Sequence, residues 1–367
     1  MKIKMNRAGK ISTLSLLAAM TLAGTDAMAA PWDNGASTPN WEDAANWGGD
    51  VLPDANELAF IANNTPFGAV LLNSDQTIEA LRTANGRDLT HTGGTLTVAG
   101  SGTQNSFIAE KNEGAIADGT ASVYTMSGSA RYDQQDGRQF NLGQNAEGQL
   151  LMSGNAVLIS NGLIVFGQNN AFSGVVSGNA KIETTDNKSM QMARNNSSFS
   201  SSLTFKDNAS LQNDGFLVMS DFGGSGDSTL RLEGSSLDID VDGFFMREDA
   251  TLEFIADAGG ISTIDLGGPN ALVDNAGGLN PQLLVDLSLY SGTGPITLID
   301  NTSADAINGQ FRGLAEGAVV SGTGGLTITY IGGDGNDIVL VPEPASLALL
   351  AMGGLLMTNR RRRESVK

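Results

Sequence analysis

A short phrase that returns four times along the chain constrains the fold more than any other feature. Each copy ends in a turn of small or polar residues, Ser-Gly-Asn or a variant of it, followed by alanine. The aligned alanines are Ala130, Ala156, Ala180 and Ala209, spaced 26, 24 and 29 residues apart. A period of this length predicts a solenoid, because one repeat cannot bury its apolar face alone and the stack makes the core.

Each repeat alternates apolar and polar residues with the period of a β-strand that has one buried face. Leu230 and Leu232 are an example, in a fifth and looser copy around Gly234. Glycine and asparagine at the corners tolerate the positive φ of sharp bends. The chain is therefore predicted to be all-β, a right-handed parallel β-helix or β-solenoid with an N-terminal cap. An antiparallel β-sandwich is the alternative, because turns every 8–12 residues fit it as well.

The repeats resemble the autotransporter-type β-strand repeats of large secreted bacterial proteins, over roughly residues 65–340. The expected division of the chain has four parts. These are a signal peptide (1–29), a tryptophan-rich strand and cap region (30–62), the solenoid body (63–340) and a C-terminal sorting signal (341–367).

The N-terminus has the three regions of an export signal in order. Residues 1–10 are basic, residues 11–24 are apolar, and small residues follow. Ala27 and Ala29 fit the small-x-small pattern, which predicts cleavage by a signal peptidase before Ala30. We expect the body to be exported.

The C-terminus combines a proline step, an apolar run and an arginine cluster. The apolar run Ala345–Met357 has 13 residues, short of the ~20 that span a bilayer comfortably. Pro342 and Pro344 prevent a helix from continuing out of the preceding strand, and they predict an extended, protease-accessible joint at Glu343. In an exported chain an anchored tail would leave the arginines in the cytoplasm.

This arrangement resembles the PEP-CTERM sorting signal of Gram-negative bacteria, and the match covers the last 27 residues. The residues that carry it are Val341, Pro342, Glu343, Pro344, Arg360, Arg361, Arg362 and Arg363. The resemblance implies a short hydrophobic helix that is held transiently in the inner membrane with the body in the periplasm. It implies cleavage by an exosortase, and release or attachment at the cell surface. Many such proteins belong to bacteria that produce exopolysaccharide and form biofilms.

Composition excludes several kinds of chemistry. The chain has no cysteine and one histidine, His91, so thiolate sites and histidine-based catalysis are largely removed from consideration. His91 lies in a threonine-rich stretch and is predicted to be a solvent-facing strand residue. The formal net charge of −19 includes basic residues at both termini, and the more acidic body should repel nucleic acid and anionic lipid.

All three tryptophans, Trp32, Trp41 and Trp47, precede the repeats. A cap over the first coil is the favoured interpretation, because the end of a solenoid exposes unpaired backbone. A carbohydrate-binding surface made by exposed indole rings is the alternative.

Two motifs are typical of calcium sites. Asp238, Asp240, Asp242 and Gly243 match the opening of an EF-hand loop, with Asp249 at its last position. Alternation with apolar residues favours a strand whose aspartates face water. Residues 332–337 match one copy of the glycine-rich calcium-binding nonapeptide. A complete calcium site needs successive copies, so a single copy favours a hairpin. Calcium is the single cofactor considered.

No residue is singled out as catalytic. We predict a secreted, non-enzymatic structural or adhesive protein associated with extracellular polysaccharide or a biofilm matrix. One alternative is a β-helix polysaccharide lyase or hydrolase, which needs a shallow groove with close carboxylates and a basic or aromatic companion. The other is a carbohydrate-binding module built on the three tryptophans.

Overall fold

Short runs with an apolar residue at every second position form β-strands in the part of the chain that the structure describes. This computed structural model describes residues 28–62, 68–110, 121–194, 198–220, 226–247, 249–267 and 281–343. A 3-10 turn spans Ala44–Asn46. The strands up to residue 166 are β1 (Met28–Pro31), β2 (Glu57–Ile61), β3 (Val70–Leu72), β4 (Gln76–Ile78), β5 (Ala80–Ala84), β6 (Leu89–His91), β7 (Thr95–Val98), β8 (Ser106–Glu110), β9 (Ser122–Met126), β10 (Arg131–Gln134), β11 (Phe140–Leu142), β12 (Gly148–Met152), β13 (Val157–Ser160) and β14 (Ile164–Phe166). The strands after it are β15 (Phe172–Val176), β16 (Lys181–Thr184), β17 (Met190–Met192), β18 (Ser201–Lys206), β19 (Ser210–Met219), β20 (Ser228–Glu233), β21 (Asp238–Met246), β22 (Ala250–Ile255), β23 (Ile264–Leu266), β24 (Gln282–Asp286), β25 (Ile296–Asn301), β26 (Leu326–Gly332) and β27 (Asp337–Pro342).

In the central repeats three strands form one coil, and each strand lies parallel to its counterpart in the next coil. Strands β9, β10 and β11, for example, pair with β12, β13 and β14. The stack has three faces. Face 1 is a nine-stranded sheet of β3, β6, β9, β12, β15, β18, β20, β22 and β24. Face 2 contains β4, β7, β10, β13, β16, the first parts of β19 and β21, β23 and β25. Face 3 contains β1, β2, β5, β8, β11, β14, β17 and the second parts of β19 and β21.

The pairing pattern decides between the two predicted architectures. Every strand-to-strand pairing among β1 to β25 is parallel, and β19 and β21 each run through a corner, so that faces 2 and 3 form one sheet. The residues that directly follow the aligned alanines, Arg131, Val157, Lys181 and Ser210, are register partners. The prediction of an all-β, solenoid-like fold with long parallel sheets is confirmed, and the antiparallel sandwich is wrong.

The corner between faces 1 and 2 repeats from coil to coil because of its glycines. Gly128, Gly154 and Gly178 have φ of 62°, 69° and 68°, and Asp207 takes the same left-handed conformation at 63°. A Cβ on Gly154 would lie 3.0 Å from the backbone nitrogen of Gly128. Glycine therefore serves both the bend and the close stacking of one corner on the next.

An asparagine ladder runs along the same corner. The side-chain amide of Asn179 donates to Oδ1 of Asn155 at 3.0 Å, and that of Asn208 donates to Oδ1 of Asn179 at 3.3 Å. Identical amides stacked in register can each donate to the coil below and accept from the coil above. The exposed corner is thereby tied together along the stack.

The corner between faces 2 and 3 holds a buried polar row. Gln134, Ser160, Thr184 and Asn213 are register partners and at most 3% exposed. The Thr184 hydroxyl donates to Oδ1 of Asn213 at 2.7 Å, and the Asn213 amide donates to the Gly215 carbonyl at 3.0 Å. These bonds satisfy backbone and side-chain groups that burial would otherwise leave without partners.

The core is a stack of inward-facing apolar rows. One row on face 1 is Leu89, Tyr124, Leu150, Gly174, Leu203, Leu230, Leu252 and Leu283. Gly174 fits this row because Phe172 and Leu203 fill the space that its own side chain would occupy. Each fully buried large apolar side chain contributes about 1.5–3 kcal/mol relative to exposure.

The tryptophans close the N-terminal end of the stack. Trp32, Trp41 and Trp47 are 2%, 0% and 0% exposed, and the ring of Trp47 meets the other two edge to face. Nε1 of Trp47 donates to the Trp41 carbonyl at 2.8 Å. The backbone N–H of Trp41 donates to the carbonyl of Leu71, in the first strand of face 1. Strands β1 and β2 belong to face 3, and β2 pairs with β5. The sheet thus contains strands from both sides of residue 62, the predicted boundary between the cap region and the solenoid body.

An antiparallel hairpin closes the C-terminal end. Strand β27 pairs with β25 on one edge and with β26 on the other. The glycine-rich motif at residues 332–337 forms the turn between β26 and β27, as the hairpin interpretation predicted. Strand β27 extends to Pro342, whose register partner is Leu326.

The predicted signal peptide up to residue 27 and the predicted apolar helix at 345–357 lie outside the described residues. Within residues 28–343, as far as they are described, no helix has the length and apolar character needed to cross a membrane.

Replacement of Trp41 by alanine should loosen the N-terminal end. We expect Trp41→Ala to lower the free energy of unfolding by about 3–5 kcal/mol, because it leaves a large cavity beside the ring of Trp47. Val51→Ala is the matched control, since Val51 is 63% exposed. Urea unfolding followed by circular dichroism measures both. Equal and small effects of the two substitutions would contradict a stabilising cap.

Candidate functional site

An acidic cleft opens on the outer surface of the described residues. It has a volume of about 290 Å³ and lies where β16, β19 and β21 turn from face 2 towards face 3. Its lining residues are Glu183, Thr184, Thr185, Gln212, Asn213, Asp214, Asp240 and Asp242. Three successive coils contribute to the cleft because Glu183, Gln212 and Asp240 are register partners. The cleft therefore follows from the in-register stacking of polar outward residues.

The carboxylates of the cleft disfavour one another's ionisation. Partial burial raises the pKa of Asp240, and the charge of Asp238 raises it further. Partial burial also raises the pKa of Asp242, with additional contributions from Asp214 and Asp240. A carboxyl whose pKa is raised in this way is a better proton donor near neutral pH than an ordinary aspartate.

The acidic row continues towards the C-terminal end of face 2. Asp240, Asp265 and Asp300 are register partners in three adjacent strands. Burial raises the pKa of Asp265, and the charges of Asp300, Asp240 and Asp238 add to the shift. Parallel stacking thus places like charges on neighbouring strands, which is unfavourable.

The cleft has carboxylates but lacks the companion that a glycan-cleaving site needs. Its lining contains no basic or aromatic side chain. The nearby Lys181 pairs with Glu183 at 2.9 Å and also contacts Gln212. In the described residues, no group of three or more acidic or histidine side chains is arranged to hold a metal ion. The arrangement suits hydrogen bonding and proton donation more than metal chemistry.

The segment that matches the opening of an EF-hand loop does not coil, and it forms the strand that its alternation favoured. Residues Asp238–Met246 form the extended strand β21, in which Asp238 and Asp240 point outward while Ile239 and Val241 are buried. Asp249 lies beyond the end of this strand. A chain extended by ~3.3 Å per residue cannot wrap both ends of the motif around one cation. Asp240 and Asp242 instead line the acidic cleft.

The tryptophans are not available to stack on a sugar. Trp32, Trp41 and Trp47 are at most 2% exposed and pack against one another. The carbohydrate-binding alternative built on these rings is therefore wrong, since sugar stacking needs an open ring face.

The prediction that His91 faces solvent is also wrong. His91 is fully buried. Its Nδ1 lies 3.1 Å from the Tyr124 hydroxyl and its Nε2 lies 3.1 Å from the Gly94 carbonyl oxygen. Burial lowers the pKa of His91 to about 4, with a smaller opposing effect from backbone hydrogen bonding at Gly94 and Gly93. The ring is an inward residue of face 1.

The structure describes some of the predicted processing residues and not others. Ala29 and Ala30 lie in β1, Val341 and Pro342 lie in β27, and Thr327 donates to the Val341 carbonyl at 3.3 Å. The proposed joint is thus partly held in the sheet instead of freely extended. Ala27, Pro344 and Arg360–Arg363 lie outside the described residues.

No protein-family model matches this chain, and comparisons with curated proteins and with solved structures also gave no match.

Sequence reasoning did not identify Glu183 and Asp214 as site residues. The signal was present in the repeat itself, because Glu183 and Gln212 each follow an aligned alanine by three positions. Asp240, their register partner, belongs to the looser fifth copy, where the alignment is hardest to extend. The cleft depends on this third coil.

Replacement of Asp242 by asparagine should stabilise the fold. The folded pKa of Asp242 is raised, so ionisation costs stability as pH rises through that pKa. We expect Asp242→Asn to raise the free energy of unfolding by about 0.5 kcal/mol at pH 7 and low salt. The gain should shrink in high salt and disappear below the ordinary pKa of aspartate. Asp227→Asn, an exposed aspartate at another corner, is the control. A loss of stability for Asp242→Asn would contradict the repulsion.

His91 should make the fold sensitive to acid. The unfolded chain takes up a proton near pH 6.5, whereas the folded chain does so near pH 4. Stability should therefore be complete above pH 6.5 and fall by about 3 kcal/mol by pH 4 from this residue alone. In His91→Gln, this part of the pH dependence should vanish, although the protein is less stable at pH 7.5. Chemical unfolding at several pH values measures it, with Thr90→Gln as the outward-facing control. Identical pH profiles for all three proteins would contradict the assignment.

Proposed function

We propose that this chain is an exported, non-enzymatic structural or adhesive protein that contacts extracellular polysaccharide at the cell surface or in a biofilm matrix. A signal peptidase removes residues 1–29, and an exosortase processes the tail while residues 345–357 form a helix in the inner membrane. The body is a right-handed parallel β-helix, the hand that parallel crossover connections favour.

The observation that carries this proposal is the extent of the regular outer surface. On face 1, parallel pairing continues without a break from β3 to β24, so outward side chains stand in straight rows. A long, flat surface of this kind can make many weak contacts with a polymer. Each hydrogen bond contributes only about 1 kcal/mol, but such contacts act together along a chain of sugars.

The C-terminal end supports delivery by a processed tail. Strand β27 is the last element before the Pro-Glu-Pro step, and it buries Ile338 and Leu340 completely. A tail that follows directly from a capping strand can be removed without opening the solenoid. The sorting signal and the folded body thus meet at one point in the chain.

A polysaccharide hydrolase is the second candidate, because the acidic cleft supplies close carboxylates, although its lining has no basic or aromatic side chain. Asp240 and Asp242 have raised pKa values, as a general acid requires. Incubation of the full-length chain with polysaccharide from the producing cells, followed by reducing-end analysis, tests it. New reducing ends that disappear in Asp242→Asn would replace the non-enzymatic proposal.

Co-sedimentation with purified extracellular polysaccharide tests the main proposal. We expect the full-length chain to pellet with polysaccharide from the producing cells, and an acidic soluble protein of similar size to remain in solution. The measurement is made with calcium and with a chelator. Failure to pellet under both conditions would overturn the polysaccharide contact.

The mature chain should keep β27. We expect the released form to begin at Ala30 and to end at or beyond Pro342, because a cut inside β27 would remove a strand that is paired on both edges. Intact-mass analysis of membrane and medium fractions measures both ends. A released form that ends before Asp337 would contradict this expectation. A full-length tail found only in membranes would make residues 345–357 a plain anchor.

A further inference from the structure

We infer that the outer surface of face 1 across β9, β12, β15 and β18 is a docking surface for an uncharged polysaccharide chain. This inference rests on the proposed function and specifies the face and the class of glycan. We call this surface the uncharged face. Its first row is Thr125, Leu151, Val175 and Thr204, which are register partners and partly exposed, with Leu151 at 41%.

The second row lies two residues earlier on the same strands. It consists of Val123, Gln149, Ser173 and Ser202, again in register. Neighbouring residues of one row are about 4.8 Å apart, and the two rows are about 7 Å apart. Across four coils the face thus presents hydroxyl, amide and aliphatic groups at regular spacing, with no charged residue in either row.

The lack of charge distinguishes this face from face 2. The chain has 40 acidic and 21 basic residues, and outward positions on face 2 carry ion pairs such as Lys181 with Glu183. The uncharged face ends at charged neighbours, with Glu147 at one margin and Lys206 at the other. Arg231 lies in the next coil, where it pairs with Glu253.

Face 3 offers no comparable open surface among the described residues. In its outward row, Phe107, Asn141, Val165 and Val218 are at most 8% exposed, whereas Gln191 and Phe245 are partly exposed. Face 2 is open but acidic towards its C-terminal end. The uncharged face therefore combines accessibility with the absence of charge.

The chemistry of the uncharged face is complementary to that of a neutral sugar. A pyranose ring presents hydroxyl groups at its edge and C–H groups on its faces. Thr125, Ser173 and Gln149 can exchange hydrogen bonds with the hydroxyls, while Val175 and Leu151 contact the C–H groups. Since no charged group is desolvated, binding does not carry the large cost of burying an ion. The asparagine ladder at the adjoining corner adds a line of exposed amides.

Charge also favours this occupant over two others. An acidic glycan is repelled by a chain with a formal net charge of −19, unless divalent cations bridge the two. A second copy of the chain carries the same charge and is repelled at long range. A neutral polysaccharide experiences neither effect, so its binding should change little with salt concentration.

Affinity electrophoresis of the full-length chain in gels that contain dextran, a soluble β-glucan or alginate tests the inference. The variants Leu151→Glu and Val175→Glu place a carboxylate on the uncharged face. Val157→Glu and Ile159→Glu place the same group at outward positions of the adjacent face 2. We expect at least tenfold weaker binding to a neutral glucan for the first pair, and less than a twofold change for the second. Circular dichroism checks that all four variants fold.

The outcomes separate this inference from the proposed function. If the face 2 variants weaken neutral glucan binding and the face 1 variants do not, the assignment of the docking surface to the uncharged face is wrong. Calcium-dependent binding to alginate alone would overturn the inference and leave the proposed function intact. If neither these probes nor polysaccharide from the producing cells binds, both fail. Self-association that Val175→Glu abolishes, seen by analytical ultracentrifugation, would assign the face to a second copy of the chain.

Discussion

The structure depends on parallel, in-register stacking of successive coils. Because each strand hydrogen-bonds to its counterpart above and below, a corner that bends differently in one coil would break the pairing in the next. Glycines with positive φ recur at the corner between faces 1 and 2 for this reason, and Asp207 takes their conformation where glycine is absent. The same requirement leaves two open ends, which are covered by packed tryptophans at one end and by an antiparallel hairpin at the other.

Stacking in register also places identical side chains next to one another on adjacent strands. Their interaction, favourable or unfavourable, is then repeated along the stack. Asparagines gain from this because an amide both donates and accepts, as the ladder through Asn179 illustrates. Aspartates lose: burial raises the pKa of Asp265, and the charges of its register partners Asp300 and Asp240 raise it further. The contrast between an uncharged face and an acidic face is thus a direct result of which residues occupy successive coils.

The repeat made the fold predictable, whereas the sites were not. Period and alternation favoured parallel coils over the antiparallel sandwich because both are consequences of stacking, and the aligned alanines predict the register. His91 was assigned to solvent from its polarity alone. In the structure it occupies an inward position, where Tyr124 and the Gly94 carbonyl satisfy its ring. The aspartates from Asp238 onward matched a calcium loop by spacing, but the alternating Ile239 and Val241 need burial, and burial kept the chain extended. The spacing of a local motif did not predict the structure where the strand's alternation of buried and exposed residues determined it.

The two open faces imply different kinds of contact. On face 2, a partner must neutralise or displace closely spaced carboxylates, so recognition there depends on cations and on salt concentration. On face 1, the central rows have no charge, and recognition depends on shape and on many hydrogen bonds of similar strength. A long acidic molecule with one neutral strip can remain soluble and separate from its own copies while it adheres to an uncharged polymer. The proposed adhesion through face 1 does not conflict with a charged face 2, because the faces of the solenoid are independent in sequence yet joined through one core.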